Sequence, residues 1–291
     1  MRIRRRRFEI GVPALVLVLV LASGCDRPST GPGPESLNIL ITNDDGIEAP
    51  GILALAEALR PLGEVAVAAP SGNMTGASHA VTSDRTVTVS ESERRGQRWF
   101  SIQATPATCV RLAVDQLLSS RPDIVLSGIN IGENLGLVTY YSATIGAARE
   151  AAFLGIPAVA VNLAGTDVMD YRTAASVAAA IVAALGKGGI AKGTFLNINI
   201  PALPRERLRG VRITRQDLRA PIDFFERSAS GDGMTEYRPG WAHLEPVGTD
   251  TDIWAVRNGY ISVSVFGFDQ SAAAAPAAFL ALKRLESLPF R

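Results

Sequence analysis

Between residues 37 and 204 the chain alternates short apolar runs with longer stretches of helical period. Ile39–Ile41, Val65–Ala69, Ile124–Leu126, Ala158–Val161 and Phe195–Ile200 are continuous apolar or nearly so, and too short to make a helix. Such runs fit strands buried on both faces, as in a parallel sheet. Between them, Ile52, Leu55, Ala56 and Leu59, then Val110, Val114 and Leu117, recur at the spacing of one helix face, and Ile145–Leu154 and Tyr171–Leu185 read as further helices. Pro50 and the pair Thr105-Pro106 are start signals, proline at the first helical position and threonine as a cap. Thr86–Val89 and Trp99–Ile102 are β-type runs around a charged turn at Glu91–Arg98. Strand–loop–helix units in this order predict an α/β fold, a Rossmann-like, doubly wound, mostly parallel sheet.

From about Arg205 the composition shifts. Val211–Thr214 reads as a strand, a long segment rich in Arg, Asp, Gly and Pro runs to Asn258, Tyr260–Val265 alternates as a returning strand, and Ser271–Leu288 closes as a helix. The polar segment, about 215–258, is expected to form extended hairpin arms, a common means of building oligomers. A core at 37–204 and a C-terminal part at 205–291 are therefore expected.

Residues 1–24 lie apart from this pattern. Arg4–Arg7 form a basic stretch and Val12–Ala22 an apolar one too short to span a bilayer comfortably, which together read as an export signal. Arg5-Arg6-Arg7-Phe8 resembles the start of a twin-arginine signal. Leu21-Ala22-Ser23-Gly24-Cys25 resembles a bacterial lipobox, with Ala22 where leucine is commoner; lipidation of Cys25 and ordinary cleavage after the small residues both fit. Residues 25–36 are Pro/Gly-rich and read as a flexible tether. The expectation is an exported, periplasmic or cell-envelope protein, held to the membrane only through an anchor at Cys25. Cys109, the one other cysteine, sits in an apolar helical pattern and reads as a small core residue.

The formal charge of +1 changes once the export segment is set aside, because 24 basic and 27 acidic side chains then remain, near −3. No block of positive charge follows residue 24, which argues against a nucleic-acid tracking surface. The chemistry gathers instead in the loops that follow the apolar runs. The first run ends in Asn43-Asp44-Asp45-Gly46. Asn, Asp and Gly also make ordinary turns, yet a helix follows here rather than a second strand. In open α/β sheets, ligands bind at the carboxyl ends of strands. Adjacent carboxylates there repel unless a cation joins them, and a hard divalent ion does so best. Asn130, in Ser127-Gly128-Ile129-Asn130, offers a carbonyl oxygen to the same ion. Thr75 and Ser78, in a small polar loop after Pro70, are hydroxyls suited to a metal or a phosphate. Ser142 and Thr144 stand where a helix begins and fit either phosphate binding or capping. His79 is a lone loop histidine and reads as a bystander.

Taken together, Thr42-Asn43-Asp44-Asp45-Gly46, Ala49-Pro50-Gly51, Ala69-Pro70, Gly76-Ala77-Ser78, Thr105-Pro106-Ala107, Ser127-Gly128-Ile129-Asn130, Asn134-Leu135-Gly136 and Tyr141-Ser142 resemble the SurE family of metal-dependent 5′/3′-nucleotidases. The pieces run in family order across about residues 38–265. The resemblance implies one divalent ion, Mg²⁺ or Mn²⁺, on Asp44, Asp45, Asn130 and a loop hydroxyl, which is serine in the family and Thr75 here. It implies that Asn43, Asn134, Ser142 and Thr144, with Ser78 beside them, orient the phosphate of a nucleoside monophosphate. Asp44 and Asp45 would be the catalytic acids, with Asp44 taking a proton from the attacking water. A homodimer or homotetramer is implied as well. Departures cluster near the entrance: Ser71-Gly72-Asn73-Met74 lacks the family's charges, and Ser142-Ala143-Thr144 replaces Ser-Gly-Thr, as Ala104-Thr105-Pro106 replaces Gly-Thr-Pro. A competing reading is an extracytoplasmic nucleotide- or polyphosphate-binding module weakened as a catalyst.

Overall fold

The computed structural model describes residues 36–165, 170–218, 222–241 and 248–268. The export segment, most of the tether and the helix expected at Ser271–Leu288 lie outside the described residues. The elements in chain order are β1 (Leu37–Thr42), α1 (Pro50–Leu59), β2 (Gly63–Pro70), β3 (Val89–Arg94), β4 (Gln97–Ile102), α2 (Pro106–Leu112), β5 (Ile124–Ile131) and α3 (Ala143–Phe153). Then come β6 (Ala158–Ala164), α4 (Tyr171–Leu185), β7 (Thr194–Pro201), β8 (Val211–Thr214), β9 (Ile222–Gly231), β10 (Met234–Trp241), α5 (Asp252–Arg257) and β11 (Ile261–Gly267).

One nine-stranded sheet has the order β3-β4-β2-β1-β5-β6-β7-β11-β8. From β4 to β7 every neighbouring pair is parallel, while β3 joins β4, and β11 joins β7, in the antiparallel sense. Two strands after residue 205, β8 and β11, thus complete the same sheet. The order turns at β1, which has β2 on one side and β5 on the other. That reversal opens a crevice beyond the carboxyl ends of β1 and β5.

Both faces are covered, which is why the strands are apolar on both sides. Ile39, Ile41, Val67, Leu126, Val161 and Ile198 face α1 and α4, which contribute Ile52, Leu55, Ala174 and Ala178. Leu40, Ala68, Phe100, Val125, Ala160 and Phe195 face α2 and α3, with Cys109, Ile145 and Ala148 among the partners. On this second face the carboxyl halves of the strands turn polar: Thr42, Ser127, Asn162, Asn197 and Asn199, with Ser262 and Ser264 of β11, are all buried. Two glycines bring the helices close to the crevice. A Cβ on Gly51 would lie 2.1 Å from the carbonyl oxygen of Ile129, and one on Gly146 would lie 2.3 Å from that of Ser78. No side chain fits either gap, so the start of α1 rests on β5 and α3 rests on the 71–80 loop.

Some details depart from expectation. The charged residues Glu91–Arg94 are not a turn but the body of edge strand β3, whose hairpin turns at Arg95-Gly96; an exposed edge tolerates charge. Thr105 precedes α2 but does not cap it, because its hydroxyl lies 3.0 Å from that of Thr108. Within the expected arms, β9 and β10 do form an antiparallel hairpin outside the main sheet. The short helix α5 also lies in that range. Its residues carry too few turns to show a period, although Thr251 caps it by accepting from the N–H of Trp254.

Candidate active site

β1 ends at Thr42, and Asn43 folds the chain back by donating its amide to the carbonyl of Gly46 at 2.8 Å. This sets Asp44 and Asp45 at the mouth of the crevice. Asp44 is 2% exposed and faces the start of α3. Its carboxylate accepts from the Thr144 hydroxyl at 2.6 Å and from the Thr144 N–H at 3.2 Å. Burial pushes its pKa up, and these two bonds offset part of the rise. Asp45 accepts from the Ile131 N–H at 3.2 Å, while its other oxygen is buried with no hydrogen-bond partner among the described residues. Burial and then the charge of Asp44 push Asp45 up to about 6, against the opposing pull of the Ile131 bond.

Other oxygens around the mouth share this condition. Thr42 Oγ1, Asn43 Oδ1 and Ser127 Oγ are buried with no hydrogen-bond partner among the described residues, and Thr42 and Ser127 are cross-strand neighbours. Asn130, one residue before the end of β5, has its amide nitrogen held by the carbonyls of Ile131 and Gly132, at 3.1 and 3.0 Å. These bonds fix which end of the amide is left for another partner. The donors are all hard oxygens, and among the described residues no trio of His, Cys, Asp or Glu side chains competes as a metal site. Two carboxylates, an amide oxygen and orphaned hydroxyls suit Mg²⁺ or Mn²⁺ far better than a softer ion.

The 71–80 loop is pinned to the same place. The Met74 N–H donates to the Asp44 carbonyl at 2.7 Å, so Thr75 follows directly on a contact with the first acid. Thr75 is exposed, and its N–H bonds Asn73 Oδ1. Ser78 donates its hydroxyl to the Tyr140 carbonyl at 2.6 Å. His79, read from sequence as a bystander, has a structural partner in the buried Glu150 of α3, 2.9 Å from its Nε2. Burial pushes the Glu150 carboxyl up, but the His79 bond, the Arg111 and His79 charges and the Arg111 bond hold it below its ordinary value.

Several residues expected to face a phosphate have their donors engaged inside the protein. Thr144 is spent on Asp44, Ser78 on Tyr140, and an Asn43 N–H on Gly46. Ser142 caps α3, its oxygen accepting from the Ile145 N–H at 3.2 Å, which leaves its O–H free to donate. Asn134 is held in a buried network with Asn162, Asn197 and Asn199. A hydroxyl or amide in a loop reads the same from sequence whether it faces a ligand or a neighbouring carbonyl.

Three groups near the site escape a reading by motif. Asn197 and Asn199 sit inside an apolar strand run, where alternating polar positions were a visible signal. Tyr171, at the start of α4, has its hydroxyl pKa raised by burial and then by the charge of Asp45. Asp252 accepts the Gly136 N–H at 2.8 Å and lies over a hundred residues away in sequence. A separate cavity of about 370 Å³ lies by Asn38 and Pro122, at the amino ends of the strands. Its arginines, Arg60, Arg95 and Arg98, already pair with Glu57 and Glu91.

The family model described as Survival protein SurE matches residues 39–222. The chain belongs to the SurE family. It is 43% identical over 241 residues to the 5′/3′-nucleotidase SurE of Cronobacter sakazakii, covering 81% of this chain and 92% of that one. It is 42% identical over 236 residues to the 5′-nucleotidase SurE of Alkalilimnicola ehrlichii, covering 80% and 90%. The crystal structure of the SurE protein from Aquifex aeolicus aligns with a TM-score of 0.77 at 36% identity, covering 85% of this chain and 99% of that one.

The raised pKa of Asp45 gives a stability test. Its folded value of about 6 exceeds its ordinary value of 3.8, so between these values the folded chain binds more protons than the unfolded one. Stability then falls as pH rises through that window. In chelator, Asp45→Asn should be more stable than the unaltered chain at pH 7–8, with the advantage shrinking below pH 6 and gone near 3.8. Urea unfolding across pH measures this; an Asn variant that is less stable at pH 8 would contradict it.

Proposed function

We propose that this SurE family member is a divalent-metal-dependent phosphomonoesterase that hydrolyses nucleoside monophosphates to nucleoside and phosphate, a 5′/3′-nucleotidase. The observation that carries the reading is the acid pair Asp44–Asp45 at the sheet's switch point, beside the start of α3 and near buried oxygens that have no hydrogen-bond partner among the described residues. The names of the relatives from Cronobacter sakazakii and Alkalilimnicola ehrlichii support the same reading.

Asp44, Asp45, Asn130 and Thr75 are the residues that would hold Mg²⁺ or Mn²⁺. Such an ion supplies Lewis acidity toward phosphoryl oxygens. The chain supplies the rest. The O–H of Ser142 presents a donor, and the start of α3 a positive dipole end, to an anion. Both oxygens of Asp44 are engaged by Thr144, whereas Asp45 Oδ1 has no hydrogen-bond partner among the described residues. The proton-accepting role expected for Asp44 therefore fits Asp45 better. Donors already held in place stabilise developing charge without reorganising.

We further propose that the β9–β10 hairpin docks on a second copy of the chain. Phe225 and Tyr237 share one face of it by register and are 64% and 63% exposed. Residues 1–24 are proposed to direct export, with Cys25 carrying a lipid.

Three measurements test these readings. With AMP or GMP and Mn²⁺, Asp44→Asn and Asp45→Asn should each lower phosphate release by about 100-fold or more, with circular dichroism unchanged, and EDTA should silence the unaltered chain. Near-normal turnover in both variants would sink the mechanism; nucleotide binding without turnover in the unaltered chain would favour a binding module. The double variant Phe225→Asp/Tyr237→Asp should shift the light-scattering mass to that of one chain while its melting temperature holds, and an unchanged mass refutes the docking role. Labelled palmitate should enter the full chain and not Cys25→Ala; equal labelling of both, or none of either, removes the anchor.

A further inference from the structure

The 132–136 loop, which joins the end of β5 to the approach to α3, is gripped from beneath by β6 and β7. The Asn134 N–H donates to Asn199 Oδ1 at 2.9 Å. The Asn134 carbonyl accepts from Asn197 Nδ2 at 2.8 Å and from Asn199 Nδ2 at 3.1 Å. Its side-chain amide donates to Asn162 Oδ1 at 2.7 Å. Asn162 is itself fixed, donating to Asn197 Oδ1 and to the Ile198 carbonyl, both at 2.8 Å. At the loop's far end, Asp252 takes the Gly136 N–H.

Asn162, Asn197 and Asn199 are fully buried. An amide in a core is costly unless bonded, and an apolar side chain there would face no such demand. Networks of this kind rigidify one geometry when all members are satisfied. Their place in the sheet says which geometry. Asn130, Asn162 and Asn199 are successive cross-strand neighbours on β5, β6 and β7. The Gly132 N–H bonds the Leu163 carbonyl on β6. The peptide groups of Ile131 and Gly132 touch both acid-site partners, since their carbonyls hold the Asn130 amide and the Ile131 N–H holds Asp45. A shift of the loop therefore moves Asn130 and Asp45 together.

We propose that Asn162, Asn197 and Asn199 are positioning residues. Asn197 and Asn199 clamp the 132–136 loop through the backbone of Asn134, Asn162 fixes Asn197 and the Asn134 side chain, and together they hold the Asn130 amide and Asp45 in register for the cation, a role that rests on the metal reading above. Asn134 is then a handle for the clamp rather than a ligand of the substrate.

The test uses the full chain with Mn²⁺ as the probe, titrated by electron paramagnetic resonance, together with steady-state kinetics on AMP and hydrogen exchange at residues 131–136. Asn199→Ala removes an acceptor and a donor from the Asn134 backbone. It should weaken Mn²⁺ binding by about 10- to 100-fold, lower kcat with KM little changed, and speed exchange in the loop. Asn134→Ala keeps three of the four contacts and should lose less on every readout. Ser264→Ala, which removes a buried hydroxyl bonded to Thr214 and facing Asn197 across the strands, should match the unaltered chain in Mn²⁺ affinity and kcat.

Unaltered Mn²⁺ affinity in Asn199→Ala overturns the clamp, as does greater damage in Asn134→Ala, which would put Asn134 on the substrate. Should Asn199→Ala not fold, Asn162→Ala leaves both backbone grips and must still weaken Mn²⁺ binding; unaltered affinity there is equally fatal. An unaltered chain that binds no Mn²⁺ refutes the metal reading instead. In that case loop exchange decides the clamp alone, with faster exchange in Asn199→Ala upholding it and unchanged exchange ending it.

Discussion

Two adjacent carboxylates at the end of β1, one buried and one half-buried, set the terms for everything around them. Asp44 is buried by the helix that contacts it, and its charge adds to the burial that pushes Asp45 up to about 6. Burial works against the ionised form of both acids. The fold answers with fixed donors, two from Thr144 on α3 and one from Ile131 on β5. These come from two different elements because β1 reverses the strand order, so that β5 and the helix after it both reach the end of β1. The topology and the electrostatics are one constraint seen at two scales.

That constraint propagates into the core. The α3 face of the sheet is apolar over the amino halves of the strands and amide- and hydroxyl-lined over the carboxyl halves. A wholly apolar face would favour the folded state more, but it would leave the loops above free to settle in several ways. Polar rows allow few arrangements, since each buried amide must find its partners. The same logic explains the close approaches at Gly51 and Gly146, where any side chain would drive the first turn of a helix away from the acids or the loop beside them.

How much of this was written in the sequence depends on whether a feature is local. Helix faces such as Ile52, Leu55, Ala56 and Leu59 are visible because burial imposes a period. The acid pair and Asn130 are visible because strand ends collect ligands in this class of fold. What a polar loop residue faces is invisible, because Thr144, Ser78 and Asn134 satisfy neighbours brought near only by tertiary packing. The charged strand β3 misleads for a related reason: an edge strand is stabilised by its partner β4, so its own composition reads as a turn. Helix α5 is too short for any period, and the contact of Asp252 with Gly136 spans 116 residues.

The C-terminal third illustrates why such distant contacts arise. β11 returns antiparallel beside β7, and its Ser262 and Ser264 continue the polar rows begun by Asn199 and Asn197. α5 is carried on the same return and brings Asp252 over the loop after β5. Asp252 is buried, which raises its pKa; the N–H groups of Gly136, Asp217 and Ile253 pull the other way, and the charge of Asp217 adds to the rise. A carboxylate committed to three backbone donors tolerates little movement of any of them. The segment that carries α5 and β11 is therefore tied to the geometry of the loop after β5, beside the acid site.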